Sequence, residues 1–333
     1  MLSEMYDIPA GFLTAKAEEL HTVLKTPSLL HLEGIKSQPL FISTLLHGNE
    51  TTGLYAIQRL LKKYQGKPLP RAISVFVGNI EAAKENQRRL DHQDDYNRIW
   101  PGTLHRDSAE KDMMQAVTRI MRKKKPFASV DIHNNTGKNP YYACINNLNP
   151  HGLVLASEFS DIAVYFTSPK GVQSSAFSDF CPAVVLECGQ SGDRSGEDHA
   201  LNYLENILAL DDLSSPLKHQ LKLHHTVARV TLLPAVSLGN DSGQNGLNLN
   251  ARLEENNFQL IAAGTEFASV NSDTEKLIVV SSESNEDVTD EYIERTDHKL
   301  LFKKPVILSM FTTSETAIRQ DCICYFMEEL HIG

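Results

Sequence analysis

Continuous apolar segments alternate with helical patterns over the first two-thirds of the chain. Five segments are apolar throughout rather than alternating in polarity, which is typical of strands covered on both faces. They span residues 38–47, 71–79, 127–134, 161–168 and 181–189. Three segments between them repeat apolar residues at helical spacing, namely Glu50–Tyr64, Ser108–Lys124 and Gly196–Ala209. This order predicts an α/β domain whose mostly parallel sheet is flanked by helices.

The pattern changes after about Lys218. Segments such as LHHTVARVTLL and DCICYFMEEL are of β type, and polar connections rich in Gly, Asn, Asp and Ser separate them. The Ser-Ser-Pro sequence in DDLSSPLK would end the preceding helix. The sequence therefore predicts two domains, an α/β domain over residues 1–215 and a smaller β-rich domain over residues 216–333.

The charge of the chain excludes broad classes of partner. Lys and Arg number 32 against 42 Asp and Glu, so the net charge is −10. A chain of this charge has no general affinity for nucleic acid or for an anionic membrane. Its N-terminus lacks the features of a signal peptide, and no apolar run approaches about 18 residues. We therefore expect a cytoplasmic protein that binds neither nucleic acid nor membranes.

The cysteines predict no disulfide framework. They are odd in number, widely spaced and set in apolar contexts, which favours reduced core residues. The five are Cys144, Cys181, Cys188, Cys322 and Cys324.

Four chemically capable side chains follow apolar strands. His47 ends the first predicted strand and Glu50 follows it, whereas His133 and Glu187 lie at the ends of the third and the last strand of the α/β domain. Singly, each has an ordinary structural explanation. Together they would lie at one edge of the sheet, because ligands collect at the carboxyl ends of parallel strands.

The spacing of these groups suits a metal ion. Residues i and i+3 lie one above the other where a helix begins, so His47 and Glu50 could reach one ion. With His133 they form two imidazoles and a carboxylate, a known catalytic zinc set with a position open for water or substrate. A carboxylate outside this set could carry the proton to a leaving nitrogen, and Glu187 is the candidate.

The motifs also resemble a known family. HGNETTG, GNIEAAKENQRRLDHQDDYNRIWPG, DIHNNTG and AVVLECG, in this order, are similar to those of the aspartoacylase and succinylglutamate desuccinylase family, relatives of the zinc carboxypeptidases. The resemblance implies one zinc ion per chain, held by His47, Glu50 and His133, with Glu187 as general base and acid. It also implies a carboxypeptidase-like α/β domain followed by a β-rich domain that narrows the active-site entrance.

The resemblance assigns the substrate contacts as well. Asn97 and Arg98 match an Asn-Arg pair that holds the substrate carboxylate in the family, and a guanidinium offers a planar fork for such a group. An upstream arginine polarises the scissile carbonyl. Either Arg88 or Arg89 could have this role; we expect Arg89 to face the site, with a bulge in DHQDD absorbing one extra residue and Arg88 staying outside.

The acyl group is left open by the sequence. Aspartoacylases carry an arginine shortly before the catalytic Glu, whereas the segment VQSSAFSDFCPAVVLE of this chain contains none. We expect a zinc-dependent hydrolase that cleaves the amide bond of an N-acyl amino acid or of a similarly small, carboxylate-bearing amide. The alternatives are a metallocarboxypeptidase acting on short peptides and a non-catalytic zinc- or ligand-binding protein of the same fold. The oligomeric state is also open.

Overall fold

The computed structural model describes residues 2–239, 246–271 and 276–331. The chain divides into two compact units: Met1–Asn134 with Tyr141–Lys222, and Asn135–Pro140 with Leu223–Gly333. The chain thus leaves the first unit finally at Lys222, a few residues after the predicted boundary at 215/216. The predicted outer limits, residues 1 and 333, lie outside the described residues. No pattern in the sequence indicates that the short segment 135–140 groups with the second unit.

The first unit is built on a mostly parallel sheet, as predicted. Its strands are β1 (Ser3–Met5), β2 (Ser28–Leu32), β3 (Gly34–Thr44), β4 (Leu69–Val77), β5 (Ala128–His133), β6 (Tyr142–Ile145), β7 (Ile162–Tyr165) and β8 (Ala183–Glu187). They lie in the order β1-β2-β4-β3-β5-β8-β6-β7. Strand β3 runs parallel to β4 and β5, and β5 runs parallel to β8. The carboxyl ends of β3, β5 and β8 therefore share one edge. Antiparallel pairing occurs between β2 and β4 and between β6 and β8.

Helices connect these strands. They are α1 (Thr52–Lys63), α2 (Ile80–Lys84), α3 (Ala109–Lys124), α4 (Pro150–Phe159), α5 (Gln173–Ser178) and α6 (Arg194–Ala209). The predicted helices correspond to α1, α3 and α6, whose ends differ from the predicted ones by two residues or fewer. Among the described residues, no helix combines the length and the apolar character needed to cross a membrane.

Local signals explain where the long helices begin and end. The Ser108 side chain accepts a hydrogen bond from the Lys111 amide, which caps the start of α3, and Asp193 caps α6 by accepting from the Ser195 amide. At the other end of α6, Lys36 donates to the last carbonyls, where positive charge is favourable. Helix α6 is thus stabilised at both ends.

The second unit is β-rich in the residues that the structure describes. Its strands are β9 (Lys222–Leu232), β10 (Ser237–Leu238), β11 (Gly246–Leu249), β12 (Leu260–Ile261), β13 (Glu266–Asn271), β14 (Ile278–Ser282), β15 (Ile293–Thr296), β16 (Lys299–Phe302), β17 (Val306–Ser309) and β18 (Cys324–Glu329). Short helices α7 (Thr289–Tyr292) and α8 (Glu315–Gln320) complete it. Strand β9 pairs with β14 and with β18. From β18 the sheet continues through β17 to β12. A second sheet has the order β10-β11-β13-β16-β15. Four fully buried rings, those of Phe267, Phe302, Phe311 and Phe326, lie in its core.

Segment 135–140 is held within the second unit by two asparagines. The side-chain oxygen of Asn139 accepts from the Met310 amide at 2.9 Å. Buried Asn257 donates to the carbonyl oxygens of Lys138 and Phe311, each at 3.2 Å, and accepts from the Phe311 amide at 3.0 Å. These bonds satisfy backbone groups that carry no partner from regular secondary structure.

All five cysteines are free thiols, as the sequence predicted. Cys144 is partly exposed as a residue, and the other four are buried. Burial raises the pKa of the Cys181 thiol to about 12 and raises the pKa of Cys324 well above its ordinary value. Thiols of such high pKa are poor nucleophiles, so these cysteines contribute to packing.

Candidate active site

The carboxyl edge of β3, β5 and β8 brings together the residues that the sequence singled out. His133 is the last residue of β5, and His47 and Glu50 lie between β3 and α1. One potential ligand atom from each of these three residues lies within 4.8 Å of the others, and all three side chains are buried. The structure therefore brings these three residues together, and we refer to them as the metal-ligating group, after the role that the sequence predicts for them.

A tight turn after β3 positions His47 and Glu50. The Glu50 amide donates to the His47 carbonyl oxygen at 3.1 Å, which closes the turn. A side chain at Gly48 would place its Cβ only 2.2 Å from the Ala83 amide nitrogen. Only glycine fits this close backbone approach. The Gly48 amide also donates to the Arg88 carbonyl oxygen at 3.0 Å, which ties the turn to the segment after α2.

Both imidazoles lie between two carboxylates. The Nδ1 atoms of His47 and His133 each lie 2.7 Å from an oxygen of Glu50. On the opposite side of the rings, His47 Nε2 is 3.0 Å from Asp95 Oδ1, and His133 Nε2 is 2.9 Å from Asp131 Oδ2. An aspartate on Nε2 keeps a proton there and leaves Nδ1 as the ligand atom, an arrangement that is common behind metal-binding histidines.

The electrostatics of the site favour ionised carboxylates. Burial opposes ionisation of Glu50, but the imidazoles of His47 and His133 outweigh burial and hold the pKa of Glu50 well below its ordinary value. Burial likewise opposes ionisation of Asp95, yet His47 and Arg88 hold its pKa well below the usual range. Burial disfavours a charged His133, whereas Asp131 and Glu50 raise its pKa well above that of an ordinary imidazole.

The donor set fits zinc. Two imidazole nitrogens and one carboxylate oxygen lie within 4.8 Å of one another, and the carboxylates of Asp95 and Asp131 lie at the far side of the imidazoles. Zinc takes this combination of nitrogen and oxygen ligands, with one position remaining for a further group. The residues present are therefore compatible with the metal that the sequence predicts.

Two aspartates of the site were missed by the sequence analysis. Asp131 precedes His133 by two residues on β5, so a strand places both side chains on one face, and this spacing is a usable signal. Asp131 is fully buried and also accepts from the Ser43 hydroxyl at 2.7 Å. Asp95 lies in an irregular loop, where no periodicity could have indicated its position beside His47.

Glu187 lies beside His133 at the end of the neighbouring strand. The two residues are register partners in the parallel pair β5 and β8. Glu187 is 7% exposed. Burial, reinforced by the negative charge of Glu187, raises the pKa of the Cys144 and Cys188 thiols well above the ordinary value. The carboxylate predicted as the proton carrier thus lies at the same edge as the metal-ligating group.

Two buried aromatic residues, Tyr96 and Trp100, flank the Asn97–Arg98 pair. Trp100 is fully buried, donates through its indole N–H to the Tyr96 carbonyl oxygen at 2.8 Å, and meets the Phe177 ring edge-on. Tyr96, 5% exposed, enters the same core. The chain between these two rings has little freedom, so the positions of Asn97 and Arg98 are well defined.

Asn97 reaches the metal-ligating group, and Arg98 lies beside it. Asn97 Nδ2 is 3.2 Å from His133 Nε2, and the side-chain oxygen of Asn97 accepts from the Gln173 amide at 3.0 Å. Arg98 donates to the Asn97 carbonyl oxygen of the main chain at 2.9 Å, and its charge contributes to the lowered pKa of Asp95. The structure therefore brings the predicted clamp residues to the same site.

The arginine beside the metal-ligating group is Arg88, not Arg89. Arg88 donates to Glu50 Oε1 and to Asp95 Oδ2, each at 3.3 Å. Arg89 instead donates to the Gln93 carbonyl oxygen at 3.2 Å. We expected Arg89 to face the site and Arg88 to stay outside, and the structure places them the other way round. The hydrogen bond from the Gly48 amide to the Arg88 carbonyl oxygen fixes the register of this segment.

Comparisons with known proteins agree with this fold. A family model described as the succinylglutamate desuccinylase/aspartoacylase catalytic domain matches residues 36–209. No curated protein sequence matches the chain. A structure of succinylglutamate desuccinylase from Vibrio parahaemolyticus superposes with a TM-score of 0.61 at 14% identity, covering 89% of this chain and 83% of that chain.

Two further structures are similar in fold. Murine aminoacylase 3 has a TM-score of 0.54 at 15% identity, with 88% of this chain and 95% of that chain covered. The product-bound ectoine utilization protein EutE (DoeB) from Ruegeria pomeroyi has a TM-score of 0.54 at 14% identity, with 90% and 88% covered. Fold and site together define an α/β protein with a mostly parallel sheet and a candidate metal centre. Since the family model spans more than half of its residues, the chain belongs to the succinylglutamate desuccinylase/aspartoacylase family.

Proposed function

We propose that the protein is a zinc-dependent hydrolase that cleaves the amide bond of small N-acyl amino acids. One observation carries the proposal: ligand atoms of His47, Glu50 and His133 converge within 4.8 Å at the carboxyl edge of the sheet. Membership of the succinylglutamate desuccinylase/aspartoacylase family supports the reaction class, since both names describe removal of an acyl group from an amino acid.

His47, Glu50 and His133 would hold one zinc ion per chain, and Glu187 would move the proton. When bound, the ion supplies a Lewis acid and lowers the pKa of a water molecule towards about 7. Glu187 would accept the proton of the attacking water and deliver it to the amide nitrogen as the carbon–nitrogen bond breaks. Its place beside His133 in the register supports this role.

Arg88 would stabilise the charge that develops on the carbonyl oxygen. Its guanidinium already lies beside Glu50, the carboxylate of the metal-ligating group. Preorganised positive charge at such a place lowers the barrier because it needs no rearrangement during the reaction.

Asn97 and Arg98 would hold the carboxylate of the substrate. If Asp131 keeps the proton on His133 Nε2, this nitrogen cannot also accept from the Asn97 amide 3.2 Å away. The Asn97 amide hydrogens are then available to a ligand, and Arg98 adds a charged, planar donor next to them. A local clamp of this kind suits a protein of net charge −10 that binds an anion.

Hydrolysis and metal content test the proposal together. Zinc-supplemented protein should contain about one zinc per chain, because three protein ligands form one catalytic site. It should also release free amine from a panel of N-acetyl, N-succinyl and N-formyl amino acids. Turnover of dipeptides alone would support a metallocarboxypeptidase instead. Bound zinc without turnover of any amide would support a binding protein, and absence of zinc after supplementation would contradict the proposed site.

Replacing Arg98 by alanine should weaken the binding of substrates that carry a carboxylate, and of these alone. Charge-assisted hydrogen bonds contribute about 1.5–3 kcal/mol, so kcat/KM for N-acyl amino acids should fall roughly 10- to 100-fold. The corresponding N-acyl amino acid amides, which lack the carboxylate, should lose little. Arg98→Lys keeps the charge without the planar fork and should be intermediate. Equal losses for acids and amides in steady-state kinetics would reject the clamp.

A further inference from the structure

Asn134 connects the three chain segments that carry the catalytic groups. It follows His133 directly and is 5% exposed. Its side-chain amide donates to the Thr52 hydroxyl and to the Gly189 carbonyl oxygen, each at 2.9 Å. Its side-chain oxygen accepts from the Thr52 amide at 3.3 Å. One side chain thus bonds both to the segment after Glu50 and to the segment after Glu187.

The bond to Thr52 provides a cap that α1 otherwise lacks. Thr51 precedes the helix, and its side chain makes no capping hydrogen bond. The first amides of a helix have no partner within the helix and need an acceptor from elsewhere. Asn134, at the end of β5, provides that acceptor from outside α1, so the helix that follows Glu50 begins at a fixed distance from His133.

The bond to Gly189 fixes the turn that follows Glu187. Gly189 has φ +71°, and a Cβ there would lie 2.9 Å from the Tyr141 ring, so the shape of the turn depends on glycine. A second connection links this turn to Thr51, whose amide donates to the Ser191 hydroxyl at 3.2 Å. Ser191 is exposed, and water competes for an exposed hydrogen bond, whereas the bonds of Asn134 are buried.

The backbone of Asn134 contacts the metal-ligating group itself. Its amide donates to Glu50 Oε2 at 3.1 Å. This bond belongs to the main chain, so it survives replacement of the side chain. The side chain and the main chain of one residue therefore act on different parts of the site, and substitution separates them.

We propose that Asn134 is a positioning residue that sets the Glu187 segment relative to the metal-ligating group. The inference rests on the proposed function, in which Glu187 moves the proton. It predicts a loss in the chemical step, because a proton carrier displaced by even a fraction of an ångström transfers protons less effectively. Zinc binding should be affected less, because the ligands and the Asn134 backbone amide remain.

Kinetics at saturating zinc test the inference. Asn134→Ala should lower kcat about 10- to 100-fold, because misplacing a reacting group by about 1 Å can cost about 10²-fold, with KM and zinc affinity close to wild type. Thr52→Val should lower kcat less, and Thr52→Ser, which restores the hydroxyl, should recover it. Ser191→Ala tests the exposed connection and should have the smallest effect. Asn149→Ala, which removes the cap of α4, should lower stability without changing kcat.

Hydrogen exchange provides a readout that does not depend on turnover. In Asn134→Ala, but not in Asn149→Ala, the backbone amides of residues 188–193 should lose protection in zinc-loaded protein. Unchanged protection, or a folded variant with wild-type kcat at saturating zinc, would overturn the inference. A variant that reaches wild-type kcat only when zinc is raised to saturation would also overturn it, because the defect would then lie in zinc binding. If wild-type protein hydrolyses none of the amides, the proposed function fails, and the exchange experiment alone decides whether Asn134 orders the Glu187 segment.

Discussion

Replacing Glu187 by glutamine should lower kcat by a factor on the order of 10²–10⁴, the range for loss of a general acid–base group. Glutamine has almost the same shape as glutamate but cannot accept a proton at neutral pH. Zinc content should stay unchanged, because the metal-ligating group consists of other residues. Metal analysis and steady-state kinetics on the same preparation measure both quantities.

A second glutamate serves as the control for this substitution. Glu158 lies on α4 and pairs with Lys218 at 3.1 Å, and its side chain is 15% exposed. Glu158→Gln makes the same chemical change outside the site and should leave kcat unaltered. A Glu187→Gln variant that turns over at the wild-type rate would remove Glu187 from the mechanism.

Replacing Arg88 by alanine should lower kcat far more than the same replacement at the neighbouring Arg89. Arg88→Ala removes the guanidinium beside Glu50 and Asp95, and kcat should fall about 10²- to 10³-fold, as it does when one donor to a developing oxyanion is lost. Arg89→Ala removes a bond to the Gln93 carbonyl oxygen and should change kcat little. Steady-state kinetics of the two variants provide a matched comparison, since the substitutions are identical and adjacent.

The comparison between these arginines also tests the register of their segment. A large loss for Arg89→Ala with a small one for Arg88→Ala would reverse the assignment. The Arg88→Lys variant separates charge from geometry. Lysine keeps the positive charge beside Glu50 but cannot bond to two carboxylates through a planar fork, so its kcat should lie between those of alanine and wild type.

The sequence predicted the central strands because their cause is local. Strands β5 and β8 are buried throughout, as is β3 from Pro39 onward, so each appears as an unbroken apolar segment, and a polar residue marks its end. Their parallel arrangement follows from the helices between them. The shared edge, with His133 and Glu187 at the ends of neighbouring strands, was therefore predictable from pattern alone.

Other parts of the site depend on contacts between distant residues. Which arginine lies beside Glu50 depends on a backbone bond between Gly48 and Arg88, and the place of Asp95 depends on where Trp100 is buried. Neither has a periodic signal in the sequence. The pairing of β2 with β4 was missed as well, since Ser28–Leu32 is too short an apolar segment to distinguish from a loop.

The hydrogen bonds of segment 135–140 can form only late in the synthesis of the chain. It begins two residues after His133, yet its partner Met310 lies 171 residues beyond Asn139. A growing chain produces every residue of the first unit before it produces the Asn257 side chain and the Met310 amide, which bond to this segment. The segment that follows the predicted metal ligand His133 can therefore form its bond to Met310 only after nearly the whole chain has been synthesised. A fragment ending at Lys222 would contain all of the proposed catalytic residues and still lack the partners of the loop that follows His133.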